Sequence, residues 1–139
     1  MKERIKDLYR NKFLKIFGAE SAESAGIVEQ VGEELTSFKK GDRATILPAF
    51  KFGNYAEYTS VAETSVFKLP DNVTFHQGAA LTMAGGTAYC GLYLKGKIKQ
   101  GDDVLIKGAF GGIGSLAVQL GKLAGAKVRG ICSTENRKM

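Results

Sequence analysis

Asp103-Val104-Leu105-Ile106-Lys107-Gly108-Ala109-Phe110-Gly111-Gly112-Ile113-Gly114 is the stretch on which the fold turns. Its first five residues form a short apolar run of strand length. Four glycines then fall within seven positions, from Gly108 to Gly114, which predicts a tight loop. From Ile113 to Ala124 the period changes, and Leu116, Ala117, Leu120, Leu123 and Ala124 share one face of a predicted helix. Gly125-Ala126 ends that helix, and Lys127-Val128-Arg129-Gly130-Ile131-Cys132 reads as a second strand. Parallel strands need a crossover of this length, so the passage is one strand–helix–strand unit of a parallel sheet.

The loop follows the GxGxxG pattern with Ala109 in the first glycine position, Gly111 in the second and Gly114 in the third. A missing side chain at the second position lets backbone N–H groups approach a pyrophosphate, and the helix N-terminus adds positive potential there. Gly111, Gly112 and Ile113 are therefore the expected phosphate contacts. A tight turn without a ligand is the alternative. No Gly-Lys-Ser/Thr follows, so the loop is not a P-loop. At the end of the second strand, sites that prefer NAD place a carboxylate on the ribose 2′-hydroxyl. Here the strand runs into Cys132-Ser133-Thr134, with Glu135 past its predicted end and Arg137-Lys138 behind. The Ser133 hydroxyl and the Arg137 guanidinium suit a 2′-phosphate. NADPH is the expected cofactor, with a solvated charged turn as the alternative.

Upstream, Thr74 to Leu81 and Thr87 to Lys95 read as helical, separated by a break at Gly85-Gly86. Before them the period is that of strands. Ala25 to Gly32, Ala44 to Leu47, Tyr55 to Val61 and Ser65 to Leu69 are short strands, and Lys40-Gly41-Asp42-Arg43 and Lys99-Gln100-Gly101-Asp102 are turns. Several short strands at this spacing predict a small barrel or sandwich. Residues 1–17 place Ile5, Leu8, Tyr9, Phe13, Ile16 and Phe17 at helical spacing among six basic residues. Glu3 and Asp7 argue against a mitochondrial presequence there, and no apolar block marks a secretory signal.

Composition sets the outer limits. The chain has 139 residues, 44% hydrophobic, enough for one domain of ordinary size with its own core. No uncharged stretch reaches the 18 or more apolar residues of a membrane span. Cys90, Cys132 and the single histidine, His76, are too few for a four-ligand structural zinc site, and two cysteines without CxxC spacing do not mark a disulfide framework. Both cysteines read as buried small apolar residues and His76 as a surface residue, in a reducing, cytoplasmic setting. Net charge is +6 and lopsided: residues 71–139 carry nine basic against four acidic residues. That surplus suits an anionic ligand or non-specific nucleic-acid affinity.

These motifs, in this order, resemble the medium-chain dehydrogenase/reductase superfamily, specifically its zinc-free quinone oxidoreductase and enone-reductase branch. The matching segments are Glu23 to Gly32, Phe38 to Arg43, Gly53 to Tyr58, Lys68-Leu69-Pro70, Ala79-Ala80-Leu81, Gly86-Thr87-Ala88-Tyr89 and the glycine loop with Gln119-Leu120. Leu81 to Tyr89 and Gly130 to Thr134 look most like prostaglandin-reductase-3-like members. The resemblance implies α/β plus β architecture: a partial GroES-like β-barrel domain over 1–72, then the first βαβ half of a Rossmann domain over 73–139. It implies NADPH and hydride delivery to a quinone or an α,β-unsaturated ketone. Zinc-dependent relatives carry Gly-His-Glu where this chain has Ser21-Ala22-Glu23, so no metal is expected.

Within that resemblance, Tyr9 matches a tyrosine facing the substrate cleft, and its phenol would hydrogen-bond the substrate oxygen as enolate charge develops. An aromatic on an amphipathic helix is its alternative. Thr87 matches a threonine near the nicotinamide, with a helix N-cap as its alternative. Tyr55 is assigned to the barrel. The family's adenine packing, nicotinamide half-site and dimer-forming strand would fall past Met139, so a truncated reductase is expected, from a family that can be homo-oligomeric. A non-catalytic nucleotide- or RNA-binding protein derived from the fold is the rival reading, although nucleic acid is the less favoured partner.

Overall fold

The computed structural model describes residues 13–19, 23–47 and 56–134. They divide between two compact units, one within Met1–Thr82 and one within Met83–Met139. In the first, β1 (Phe13–Ala19), β2 (Ser24–Val31), β3 (Arg43–Ile46), β4 (Ala56–Ala62) and β5 (Val66–Lys68) form one antiparallel sheet in the order β4-β1-β2-β3-β5. Phe13 to Phe17 is therefore strand and not helix. A short apolar run fits either period, and what decides is tertiary: β1 pairs on both sides, with β2 and with β4.

The sheet is curled, and its connectivity requires it. β4 and β5 lie at opposite edges, yet only the turn Glu63–Ser65 joins Ala62 to Val66. Laid flat, edges four strand spacings apart would stand about 19 Å from each other. Four Cα steps reach at most about 15 Å. Among the described residues the curl does not close: no pairing joins β4 to β5. The expected barrel is instead an open, curved sheet here. β5 is three residues long and pairs with β3, and Leu47 continues that pairing by donating its N–H to the Ser65 carbonyl.

Val28, Ala44 and Ile46 are fully buried and form the heart of this core, with Leu35 and Val66 beside them. Ser24, Ala25 and Gly26 are buried in succession, so β2 is covered on both faces at this end. Helix α1 (Phe75–Tyr89) supplies one cover. Thr74 and Gln77 start it as a capping box: Gln77 N–H donates to Thr74 Oγ1 at 3.2 Å and Thr74 N–H to Gln77 Oε1 at 2.9 Å. A Cβ on Gly78 would sit 2.8 Å from Leu69 Cδ1 and 3.3 Å from Ala25 Cβ, which shows how closely the helix lies on the sheet. Thr82 donates back to the Gly78 carbonyl at 2.6 Å and shares a 2.5 Å hydrogen bond with Thr45 of β3. At the far end of the sheet, Glu29 accepts a 2.6 Å hydrogen bond from Lys40, which raises the lysine pKa. That pair is exposed, so salt weakens it.

Beside this network the Ser24 hydroxyl is fully buried with no hydrogen-bond partner among the described residues. An unmade buried hydrogen bond destabilises. Ser24→Ala is therefore expected to leave stability unchanged or to raise it by up to about 1 kcal/mol in a denaturant melt. A loss of more than about 1 kcal/mol would show that the hydroxyl has a partner in solution.

α1 passes straight through Gly85-Gly86, where a break was expected. Two glycines cost an exposed helix only about 1 kcal/mol each against alanine, and tertiary packing overrides that. The helix then widens into π-type turns over Cys90–Lys95.

In the second unit, β6 (Asp103–Lys107) and β7 (Lys127–Ile131) pair in parallel from Asp103↔Lys127 to Lys107↔Ile131, with α2 (Gly112–Leu123) as the crossover. These boundaries match the sequence expectation to within one residue. The inward line of α2 differs from it. Gly114, Ala117 and Gly121 are buried, while Leu123 is 81% exposed. Small residues bring the helix close to the strands: a Cβ on Gly121 would sit 2.8 Å from Val128 Cγ2. Ala88, Ile106 and Ala117 form the core, flanked by Leu116 and Leu120. Cys90, expected inside, is exposed on the π-type turns, and Cys132 is half-buried just past β7.

Candidate cofactor-binding site

Both strands of a parallel pair end on the same side, so the loop after β6 and the segment after β7 share one sheet edge. The structure ties them together. Gly108 and Ala109 both donate their N–H to the Ile131 carbonyl, at 2.9 and 3.0 Å. Gly111 N–H donates to the Gly108 carbonyl at 2.9 Å and closes a β-turn over Gly108–Gly111. Ser115 N–H reaches the Gly111 carbonyl at 2.8 Å and begins the helical ladder.

Between those two bonds lie the N–H groups of Gly112, Ile113 and Gly114. An α-helix leaves its first donors without an intrahelical partner, and no side chain caps α2. These donors meet the positive end of a 12-residue helix. The side-chain positions at the loop glycines are free: a Cβ on Gly112 would meet nothing within 4 Å, and on Gly111 only the Gly108 carbonyl at 3.3 Å. Gly114 has a different task. A Cβ there would lie 2.0 Å from the Gly108 carbonyl oxygen, so its absence lets the helix pack on its own loop. Ala109, in the first glycine position, fits because β7 yields instead: a Cβ on Gly130 would stand 2.7 Å from Ala109 Cβ.

Of the residues singled out in the sequence, Gly111, Gly112 and Ile113 come together at this exposed helix start. Ser133 is exposed two residues past β7, on the same sheet edge as the glycine loop. Thr87 lies inside α1 and is exposed, so it caps no helix. Tyr9, Tyr55 and Arg137 lie outside the described residues. His76 is exposed, as expected. Phe110, half-exposed within the turn, gave no signal in the sequence because it fills the variable position between Ala109 and Gly111.

Three unpaired N–H groups, a glycine whose missing Cβ leaves clear approach, and a second strand end beside them fit the pyrophosphate of a dinucleotide. Comparison with known proteins bears on which one. Residues 7–71 match the alcohol dehydrogenase GroES-like domain family. The quinone oxidoreductase of Sus scrofa is 45% identical over 111 residues, covering 80% of this chain and 33% of the relative. The chain is similar to members of the medium-chain dehydrogenase/reductase superfamily. Within that superfamily the similarity is to quinone oxidoreductases.

Solved structures of the superfamily agree. The quinone oxidoreductase of Pseudomonas syringae pv. Tomato superposes with a TM-score of 0.78 at 34% identity, over 89% of this chain and 46% of that one. A mycobacterial protein complexed with NADPH gives 0.79 at 27% identity, over 92% and 47%. The chain spans about a third of the length of the curated superfamily relatives it matches. No described helix is long and apolar enough to cross a membrane.

Proposed function

We propose that the glycine loop and the start of α2 hold the pyrophosphate of NADPH, in a metal-free reductase of quinones or α,β-unsaturated ketones. The N–H groups of Gly112, Ile113 and Gly114, which have no intrahelical partner, carry this reading. Bound NADPH would supply a hydride and its two electrons, with the matching proton drawn from water. Residues 1–72 are the GroES-like catalytic portion and 73–139 the cofactor half-site. Gly111 and Gly112 let the diphosphate reach the backbone, and Gly114 keeps the donors aimed. Ser133, with Arg137, meets the 2′-phosphate, where an acidic residue would repel it. Thr87 contacts the nicotinamide side. The phenol of Tyr9 donates a hydrogen bond to the acceptor oxygen, worth most as negative charge builds there. Relatives named quinone oxidoreductase support the quinone class of acceptor.

The open space at Gly112 makes this testable without unfolding the protein. Gly112→Ala has room for its methyl group and raises helix propensity, so the melting temperature should hold or rise. The methyl group would stand where a phosphate oxygen must come, and NADPH affinity should fall about tenfold or more by calorimetry. Equal NADPH affinity in the variant and wild type would remove the diphosphate from this helix end. Turnover is checked by NADPH oxidation at 340 nm with a benzoquinone and with an enone.

A further inference from the structure

The net charge of the chain is not shared between its two units. Met1–Thr82 carries eleven basic and eleven acidic residues, and Met83–Met139 carries nine basic and three acidic, so the whole surplus of +6 belongs to the second unit. Five of those nine, Lys95, Lys97, Lys99, Lys122 and Lys127, fall at one end of it. There the backbone stitches three segments together. The Gly101 N–H donates to the Gly125 carbonyl at 3.0 Å, the Lys127 N–H to the Asp102 carbonyl at 2.8 Å and the Ile98 N–H to the Leu92 carbonyl at 2.9 Å. This is the end at which β6 and β7 begin, opposite the glycine loop.

All five lysines are exposed, and none forms an ion pair among the described residues. The two acids at this end are used within the unit: Asp102 accepts the Lys99 backbone N–H at 3.0 Å, and Asp103 holds Arg129 at 3.2 Å. Lys95 and Lys122 lie in the last turns of their helices and complement the negative ends. Lys97, Lys99 and Lys127 have no such role. Lys97 even stands at φ +49°, the only positive φ outside glycine among the described residues. Within the same segments Leu94 is 59% exposed and Leu123 81% exposed, which adds apolar surface inside a field of one sign. The headgroups of an anionic bilayer attract such ammonium groups, and its acyl boundary takes such leucines. Nucleic acid fits less well. The nearby Arg129 is held by Asp103, and the one aromatic in these segments, Tyr93, is stacked on Tyr89.

We propose that this end of the second unit docks on an anionic lipid surface, lying on the bilayer with Leu94 and Leu123 at the acyl boundary and the five lysines among the headgroups. The glycine loop, at the opposite ends of the same strands, is left clear of the lipid. Docking of this kind neither uses nor requires the cofactor reading.

The test is co-sedimentation of the 139-residue chain with vesicles of phosphatidylcholine alone, and of phosphatidylcholine with phosphatidylserine at roughly two to one. The chain should bind the mixed vesicles, leave the neutral ones alone and lose binding as salt rises. A lysine near such a surface changes partitioning about fivefold, so Lys97→Gly combined with Lys127→Gln should weaken binding about twentyfold. Glycine also relieves the positive φ, so the double variant should melt close to wild type. Leu123→Ser should melt like wild type too, yet bind the mixed vesicles about fivefold more weakly. No binding to the mixed vesicles overturns the proposal, and so does equal binding to both kinds. Leu123→Ser binding as tightly as wild type, with polyuridylate competing the chain off the vesicles, would assign this end to nucleic acid instead.

Discussion

Gly114→Ala should unfold the second unit at temperatures where the wild-type chain is intact. The added methyl carbon would lie 2.0 Å from the Gly108 carbonyl oxygen, 2.7 Å from its carbon and 3.0 Å from Ala109 Cα. All three are backbone atoms, and none is the free end of a flexible side chain. The Gly108 carbonyl cannot swing aside cheaply either, because it accepts the Gly111 N–H that closes the turn. Overpacking against backbone of this kind should cost about 3 kcal/mol or more. A thermal melt followed by circular dichroism would show it, with Gly112→Ala as the control two residues away. If Gly114→Ala melts with the wild type, the helix does not pack on the loop as described.

Arg43→Ala should be the most damaging single change in the first unit. The guanidinium donates to the Pro70 carbonyl at 2.8 Å and to the Val73 carbonyl at 2.6 Å, and lies 4.7 Å from the centre of the Phe75 ring. One residue of β3 thus holds the connection from β5 into α1 and the first residue of the helix. Two charge-assisted hydrogen bonds and a cation–π contact go together in the alanine variant; the Val73 carbonyl loses its side-chain donor, while the Pro70 carbonyl keeps only the Val73 N–H at 3.1 Å. A loss of about 3 kcal/mol is expected in urea. Arg43→Lys should recover little, since an ammonium cannot reach both carbonyls in a fork and stack at once. Asp71, 3.9 Å away and fully exposed, should matter hardly at all, so Asp71→Asn is expected to melt with the wild type. A large loss in Asp71→Asn would place the energy in the ion pair instead.

How much of this was written locally varies along the chain. The β6–loop–α2–β7 passage was legible almost to the residue, because strand, glycine cluster and helix each carry their own period. The turns at Lys40-Gly41-Asp42-Arg43 and Lys99-Gln100-Gly101-Asp102 were legible too, the first beginning one residue earlier, at Lys39. Each uses a glycine at φ near +90° and an aspartate that accepts the backbone N–H three residues earlier, and each feeds a strand. β1 was not legible, since Phe13 to Phe17 fits two periods and only pairing with β2 and β4 chooses. Gly85-Gly86 misled because the cost of glycine in a helix is small beside the packing at either end of α1. Leu123 misled for a different reason. The face that looks most apolar in α2 is not the face that lies closest to the strands, which is lined by Gly114, Ala117 and Gly121. The Arg43 clamp had no signal, because its partners are carbonyls about thirty residues away. At the site, the glycines told where a phosphate would go.

The central claim is that this chain carries a competent NADPH half-site, and a calorimetric titration of the purified chain tests it most directly. NADPH and NADH would be titrated in turn at moderate salt, with a melt run in parallel. Micromolar NADPH binding, with NADH much weaker, is the predicted result. A chain that melts cooperatively yet binds neither dinucleotide would contradict the account.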